Sequence, residues 1–559
     1  MKGRKLLIGL GVFALLCTIG WFWFISVITI YPPVPADTSS LNAERSEPSP
    51  GFYILGNSWL QKNDVGLYEM YIEGEPFERG VAYGKLAKEL LAKQEKFFVG
   101  QIQELVPSKF YQQFLKYLIG WFNRDLDEAI PAENLLEIYG VSQSAPDGYE
   151  FIGEKYQRML NYHAAHDIGH ALQDKNMVVG CTAFGAWGNK TADGSMIIGR
   201  NFDFYVGDSF ARDKIIMFVK PTDGIPFMMV TWGGMTGVVS GMNMQGLTVT
   251  LNAAKSEYPL GAAAPISIVA REILQYSSNI EEAFAIAKTR KTFVSESIFI
   301  GSANDGEAAI IEKTPTKTEL YRTTNNHIVC SNHFQSDGFQ TDKANMTHKV
   351  ESSSNYRFER MNQLLGQNYP ITLGETSTIL RDHYGMDGKK IGIGNEDAIN
   401  QLLAHHSIIF MPEKRLVWIS ANPVPYNDYV AYDLNKIFGG YAGMKQTQRI
   451  DEPDLRITAD SFLTNGYNQY LEYRRLSKVL SKLNKEGKGQ AWSDAQLQAF
   501  IALNPNYFEA YELVADHYKK MGNKVKAVEL YKQALALDVP LADQRRGMEA
   551  KIEELEKAQ

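Results

Sequence analysis

The sequence predicts an α+β layered sandwich, on three observations. Short β-rich runs crowd residues 196–420. Turns such as Asp193-Gly194, Gln245-Gly246 and Asn304-Asp305-Gly306 separate several of them, and amphipathic helical runs interrupt them. Strands punctuated by helices and antiparallel turns stack in layers around a shared core. Composition agrees. The 559 residues are 45% hydrophobic and 22% charged, which excludes collagen-like, coiled-coil and wholly disordered chains. A net charge of -7 gives no overall basic field for nucleic acid. The three cysteines, Cys17, Cys181 and Cys330, cannot form a disulfide framework, so each needs its own explanation.

Residues 1–30 read as a transmembrane signal anchor. Leu6 to Ile30 is apolar and uncharged, and about 20 such residues span a bilayer as a helix. Lys2, Arg4 and Lys5 before it predict an N-terminus inside and everything after residue 30 outside the cytoplasm, on a periplasmic or extracellular face. A long cleaved signal is the alternative, although no small-x-small site precedes Tyr31-Pro32-Pro33. Cys17 falls mid-span as a small lipid-facing residue. Residues 31–51, rich in Pro, Ser and Asp, read as a linker.

Residues 52–180 read as helical, with Val81, Ala82, Leu86, Leu90 and Leu91 at three-to-four spacing and a second amphipathic run from Tyr149 to Leu172. Residues 181–445 hold the β-rich runs: 196–198, 215–219, 227–231, 247–251, 297–300, 308–311, 327–330, 408–411 and 416–420. Helices fall near 264–275, 280–288 and 357–365. Residues 446–559 read as a helical appendix. Within it, 504–540 fits a tetratricopeptide-like pair, with Tyr511, Val514, Ala515 and Tyr518 on one helix and Ala527, Tyr531 and Ala534 on the next. One such repeat cannot bury its own face, so it packs on neighbouring helices or on the body, and it offers a surface for a protein partner. A generic helical hairpin fits the same spacing.

The informative piece is the hairpin from Cys181 to Phe204. With its turn near 190–192, Cys181 lies across from about residue 201, and opposed residues stand roughly 5 Å apart at Cβ. The hairpin alone therefore brings Arg200 and Asp203 near the thiol. A guanidinium stabilises thiolate, and a carboxylate can position an amine. Spacing alone equally allows a buried cysteine beside a structural ion pair.

Gly180-Cys181-Thr182, followed by Gly199-Arg200-Asn201-Phe202-Asp203-Phe204, resembles the start of the mature chain in cysteine N-terminal-nucleophile hydrolases. The likeness is to the penicillin acyltransferase-like (acyl-coenzyme A:6-aminopenicillanic acid acyltransferase-like) family, with choloylglycine (bile salt) hydrolases as relatives. Further matches follow in order: Gly241 to Asn252, Ser331-Asn332-His333-Phe334, Tyr356-Arg357-Phe358-Glu359-Arg360, Leu380 to Gly385, and the closing strands from Ser407 to Asn422. The resemblance spans about Glu73 to Pro425 and includes Glu75-Pro-Phe-Glu-Arg-Gly80.

It implies a four-layer αββα sandwich whose proenzyme cuts its own Gly180–Cys181 bond. Cys181 would then be an N-terminal nucleophile, oriented by Arg200 and Asp203. Asn252 and Asn332 would stabilise an oxyanion, and Arg357 would belong to the same site. The implied substrate is a small amide or acyl compound, hydrolysed or transferred, with no cofactor, metal or nucleic acid. Asn252 also reads as a residue closing a strand, Arg357 as one on a helix N-terminal surface, and Cys330 as a buried strand cysteine.

His163, His166 and His170 share one helical face and could approach a metal, but they read as packing and capping residues. His383, His405 and His406 admit a conventional Cys–His peptidase. A membrane-tethered scaffold with a weak or dead enzyme body is the other alternative.

Overall fold

The computed structural model describes residues 2–171, 180–204, 212–256, 263–487 and 491–557. Four strands come first: β1 (Ser46–Ser49), β2 (Phe52–Leu55), β3 (Ser58–Lys62) and β4 (Tyr68–Gly74). The hairpin after Cys181 supplies β5 (Thr182–Ala186) and β6 (Ile197–Asp203). Next come β7 (Ile215–Pro221), β8 (Phe227–Thr231), β9 (Ser240–Asn243), β10 (Leu247–Ala253), β11 (Glu296–Ser302), β12 (Glu307–Lys313) and β13 (Thr318–Tyr321). The last are β14 (His327–Cys330), β15 (Ala404–Met411), β16 (Leu416–Ser420) and β17 (Tyr429–Asp433). One sheet has eleven strands in the order β1-β2-β3-β4-β7-β8-β9-β10-β11-β12-β13, and the other six in the order β14-β5-β6-β15-β16-β17.

Alternation along single strands sorts side chains into three cores. In β7, Ile215, Met217 and Val219 face helices, where they join Leu86, Ile138, Leu160, Val269 and Ile273. Ile216 and Phe218 face the other way and meet Ile198, Ile408, Phe410 and Val417 from the second sheet. The second sheet's outer face carries Ile197, Ile409 and Trp418 against Met361, Leu365 and Leu380. The layers are therefore helix, sheet, sheet, helix, an αββα sandwich. Strands buried on both faces read as unbroken apolar runs, which is why they stand out in the sequence.

The expected linker and helical segment differ from what forms. β1 lies inside residues 31–51, and β2 to β4 open the segment read as helical, extending the larger sheet. Their pattern is disguised because polar residues are buried in them. Glu69 accepts from Gln61 Nε2 at 2.7 Å and from the Tyr432 hydroxyl at 2.9 Å, and burial pushes its carboxyl up to about 7. β4 then pairs with β7 in parallel, from Tyr68 opposite Ile215 to Gly74 opposite Pro221. The expected helical start at 446 also moves. Residues 446–461 cross the second sheet without an α-helix, with Ile457 bridged to Tyr429 and the Leu455 carbonyl accepting from Trp418 Nε1 at 2.8 Å.

The Glu75 to Gly80 motif has a packing explanation. Glu78 accepts from the Glu75 N–H at 3.3 Å and so caps the helix Pro76–Leu86. A Cβ on Gly80 would lie 2.0 Å from the Glu137 carbonyl oxygen, so only glycine permits this helix to cross Ala132–Ser142. Arg79 reaches Glu137 at 2.9 Å, and Arg271 reaches the same carboxylate at 3.1 Å, all three buried.

One helix, Lys2–Ile28, contains a 24-residue apolar stretch, Lys5–Ile28, long enough to cross a membrane. Near its end Trp21 and Phe24 pack on Tyr117 and Trp121 of the helix Lys109–Phe122. At the other terminus the helices Phe508–Lys520 and Lys524–Leu535 pair. Val514, Ala515, Ala527, Tyr531 and Ala534 are buried as the spacing predicts, whereas Tyr511 and Tyr518 are half-buried. Their core includes Leu402, Val424 and Tyr426 of the sandwich, so the appendix is docked on the body.

Replacing Glu137 by Ala leaves the buried Arg271 guanidinium without its carboxylate and Arg79 with Glu133 alone, at 2.8 Å, and about 3–5 kcal/mol of stability should be lost, read as a lower urea midpoint. Burial opposes ionisation of Glu137, but Arg271 and Arg79 outweigh it and hold the carboxyl below its ordinary range. Its contribution is present above the unfolded glutamate pKa and lost as pH falls through the depressed folded value. The gap between wild type and Glu137→Ala should therefore narrow in acid.

Candidate active site

β5 and β6 pair with Thr182 opposite Asn201 and Ala186 opposite Ile197. Continued by one residue, this register sets Cys181 opposite Phe202, one position beyond the expected 201. The loop between the strands holds a 3-10 turn at Gly188–Lys190, and the register centres the hairpin between residues 191 and 192, within the expected turn. Cys181 is buried, and Arg200 Nη2 donates to its Sγ at 3.8 Å. The Sγ–H donates in turn to the Asp203 carbonyl oxygen at 3.7 Å.

Arg200 is also held by Ser240 Oγ at 2.7 Å and by the Leu251 carbonyl. Burial pushes the thiol up to about 11, Arg200 pulls it down, and Asp203 and Glu296 push it further up. The sulfur is thus a protonated thiol. The Asp203 carboxyl is raised to about 7 by burial, with Arg357 and Arg200 working against that rise. Among the described residues neither of its carboxyl oxygens accepts a hydrogen bond.

Arg357 lies on the helix Ser354–Asn368 and is fully buried rather than on a helix surface. Its Nη1 donates to the Gly180 carbonyl at 2.8 Å, the Cys181 carbonyl at 2.8 Å and Thr182 Oγ1 at 2.7 Å. Its Nη2 donates to Asn332 Oδ1 at 2.8 Å. Asn332 is fixed in turn: its amide donates to the Ala253 carbonyl at 2.8 Å, and its N–H to Ser354 Oγ at 2.8 Å. Asn252 ends on the same side, its amide donating to the carbonyls of Cys330 and Ser331 at 3.2 and 3.3 Å. Five of the six residues singled out in the sequence therefore meet around the Gly180–Cys181 peptide, and Asn252 lies beside them, between Leu251 and Ala253, whose carbonyls accept from Arg200 and Asn332; both asparagine amides are engaged with backbone carbonyls.

Two further residues enter the site without a sequence signal. Gln401 Nε2 donates to the Gly180 carbonyl at 2.9 Å. Glu296, at the start of β11 opposite Ala253, is buried, and burial and Asp167 raise its carboxyl well above the ordinary range while Arg200 opposes them. Both are polar residues in unpatterned positions, legible only from the fold.

The histidines take other roles. His163 donates from Nδ1 to the Met159 carbonyl at 2.7 Å and accepts the Thr236 N–H on Nε2 at 2.9 Å. Burial lowers it to about 4, so it is a neutral packing residue. The side chains of His166 and His170 lie outside the described residues. His383 Nδ1 meets the Tyr426 hydroxyl at 2.5 Å, and His406 Nε2 meets Ser240 Oγ at 2.9 Å. Among the described residues no histidine is hydrogen-bonded to Cys181 Sγ. Cys330 is buried in β14, and burial pushes its thiol up.

Comparison with known proteins gives a family match over part of the chain. Over residues 189–422 the chain matches acyl-coenzyme A:6-aminopenicillanic acid acyl-transferase. That range holds Arg200, Asp203, Asn252, Asn332 and Arg357 and begins after Cys181. A protein of Archaeoglobus fulgidus is 25% identical over 296 residues, covering 48% of this chain and 46% of that one. Protein dcd1B of Dictyostelium discoideum is 26% identical over 270 residues, covering 45% and 50%. The chain thus spans about half the length of these curated relatives.

Among solved structures, the Caenorhabditis elegans ortholog of N-acylethanolamine-hydrolyzing acid amidase is 18% identical, with a TM-score of 0.31 over 42% of this chain and 93% of that one. A variant of conjugated bile acid hydrolase from Clostridium perfringens is 15% identical, with a TM-score of 0.34 over 46% and 93%.

The Asn332→Leu variant should strand one Arg357 N–H and the Ala253 carbonyl. Its urea midpoint should fall by an amount equivalent to about 1–3 kcal/mol, whereas substitution of the exposed Asn325 should leave the midpoint unchanged.

Proposed function

We propose that this chain is a membrane-anchored cysteine N-terminal-nucleophile amidohydrolase or acyltransferase that matures by cutting its own Gly180–Cys181 bond. The observation that carries this reading is the grip on that peptide. Arg357 donates to the Gly180 carbonyl at 2.8 Å while Arg200 donates to Cys181 Sγ at 3.8 Å.

In maturation, Cys181 Sγ bonds to the Gly180 carbonyl carbon, and the C–N bond to Cys181 breaks. The thiol proton ends on the departing nitrogen. The resulting thioester takes up one water, leaving a Gly180 carboxylate, a free thiol and an α-amine on Cys181. An α-amine titrates near 7.7–8.0, so it can serve as general base for its own thiol without a histidine. The carboxyl oxygens of Asp203, unengaged among the described residues, suit that amine. Arg200 favours the thiolate.

A substrate amide or acyl compound then passes its acyl group to Cys181 as a thioester, from which water or an acceptor amine removes it. The Asn252 and Asn332 amides would have to exchange backbone carbonyls for the substrate oxyanion. The helix Lys2–Ile28, basic at its start and uncharged after Lys5, supports an anchor that leaves everything after residue 30 outside the cytoplasm. Phe110, Phe114 and Leu118, exposed on the helix packed against it, suit an adjoining lipid surface.

Intact mass spectrometry should find residues 1–180 and 181–559 as separate pieces in the wild type and one inactive chain in Cys181→Ala. An uncut wild-type chain with full amidase activity would overturn the mechanism. The piece carrying residues 1–180 should resist alkaline carbonate extraction from membranes. Its release would overturn the anchor.

A further inference from the structure

We propose that Gln401 is a second catalytic donor for maturation, held in place by the C-terminal helices. This rests on the self-cleavage reading above and extends it. The attacked carbonyl must take up negative charge, and donors 2.7–3.1 Å from the oxyanion stabilise it most. Gly180 O receives two side-chain donors, Arg357 Nη1 at 2.8 Å and Gln401 Nε2 at 2.9 Å. Gln401 is fully buried, and its Oε1 has no partner among the described residues.

An orphaned buried acceptor costs about 1–3 kcal/mol, so the amide is held for what its N–H does. Turning it over would set two oxygens against each other. Gly180 is shaped to the same contact, because a Cβ there would come 2.1 Å from Gln401 Nε2.

The loop that ends in Gln401 is clamped from the appendix. Ile393 donates its N–H to Asn504 Oδ1 at 3.0 Å, and Asn504 Nδ2 returns a bond to the Ile393 carbonyl at 2.8 Å. Asn395 Nδ2 reaches the Asp538 carbonyl at 3.0 Å. Gly392 lies so close to Tyr507 that a Cβ would meet the tyrosine backbone at 2.5 Å. Next to Gln401, Leu402 has φ 58, a left-handed conformation unfavourable for a leucine. Its side chain is buried in the same core as Tyr470 and Tyr507. The appendix therefore stabilises the strained turn that aims Gln401 at the scissile carbonyl.

The test follows maturation of the full chain, synthesised cell-free into nanodiscs, by the appearance of the 181–559 piece over time. Gln401→Leu should slow cleavage on the order of 100-fold, with a melting temperature close to that of Cys181→Ala. Gln401→Glu faces the carbonyl with a carboxylate, so it should be slow at pH 8 and recover toward the wild-type rate measured at the same lower pH as it gains a proton. A residue needed only for packing would show no such recovery. Asn504→Ala, which loosens the clamp, should slow cleavage several-fold. Gln401→Leu cleaving at the wild-type rate would overturn the role of Gln401 alone. A wild-type chain that never cuts would overturn self-cleavage and this role with it.

Discussion

One buried cation organises the centre of this protein. Arg357 bonds the carbonyls on both sides of the Gly180–Cys181 peptide, the hydroxyl of Thr182 and the side chain of Asn332. A guanidinium without solvent is tolerable only when its donors find well-placed acceptors and a counter-charge lies near. Three backbone and side-chain oxygens from consecutive residues meet the first demand, and Asp203 meets the second. The same fork thereby fixes the conformation of the peptide, the entry to β5 and the position of the helix Ser354–Asn368. Few alternative backbone paths would satisfy all of these at once.

The sandwich serves this arrangement by bringing strand ends together. β5, β6, β10 and β14 come from both sheets, yet their ends deliver Cys181, Arg200, Asp203, Asn252 and the segment holding Asn332 to one place. That convergence requires each sheet to be covered on its outer face, which the helices supply. The proposed reaction then asks little more of the fold than burial. Raised carboxyls at Asp203 and Glu296 and a raised thiol at Cys181 are what desolvation does to acids, and a new α-amine would change that balance.

Much of this was legible because the relevant signals were local. Cys181, Arg200 and Asp203 sit on one hairpin, so spacing alone places them to within one residue. The doubly buried strands announced themselves as apolar runs. β3 and β4 did not, because Gln61 and Glu69 satisfy each other inside the layer and erase the alternation that marks a strand. Gln401 had no local signal at all. It lies in a polar loop whose conformation depends on helices a hundred residues further along the chain, and neither periodicity nor motif can report such a contact. The helical appendix was legible as helices, while its docking on Leu402 and Tyr426 was not.

The parallel pairing of β4 with β7 has a consequence for how such an enzyme would be kept in place. β4 precedes Gly180 and β7 follows Cys181, and the ion cluster of Arg79, Glu137 and Arg271 straddles the same divide. A break in the backbone at residue 180 would therefore not release the catalytic piece. That piece has no apolar span of its own among the described residues. With the proposed anchor in a bilayer, it would be leashed there through a shared sheet and a shared core, by cohesion rather than by a covalent link.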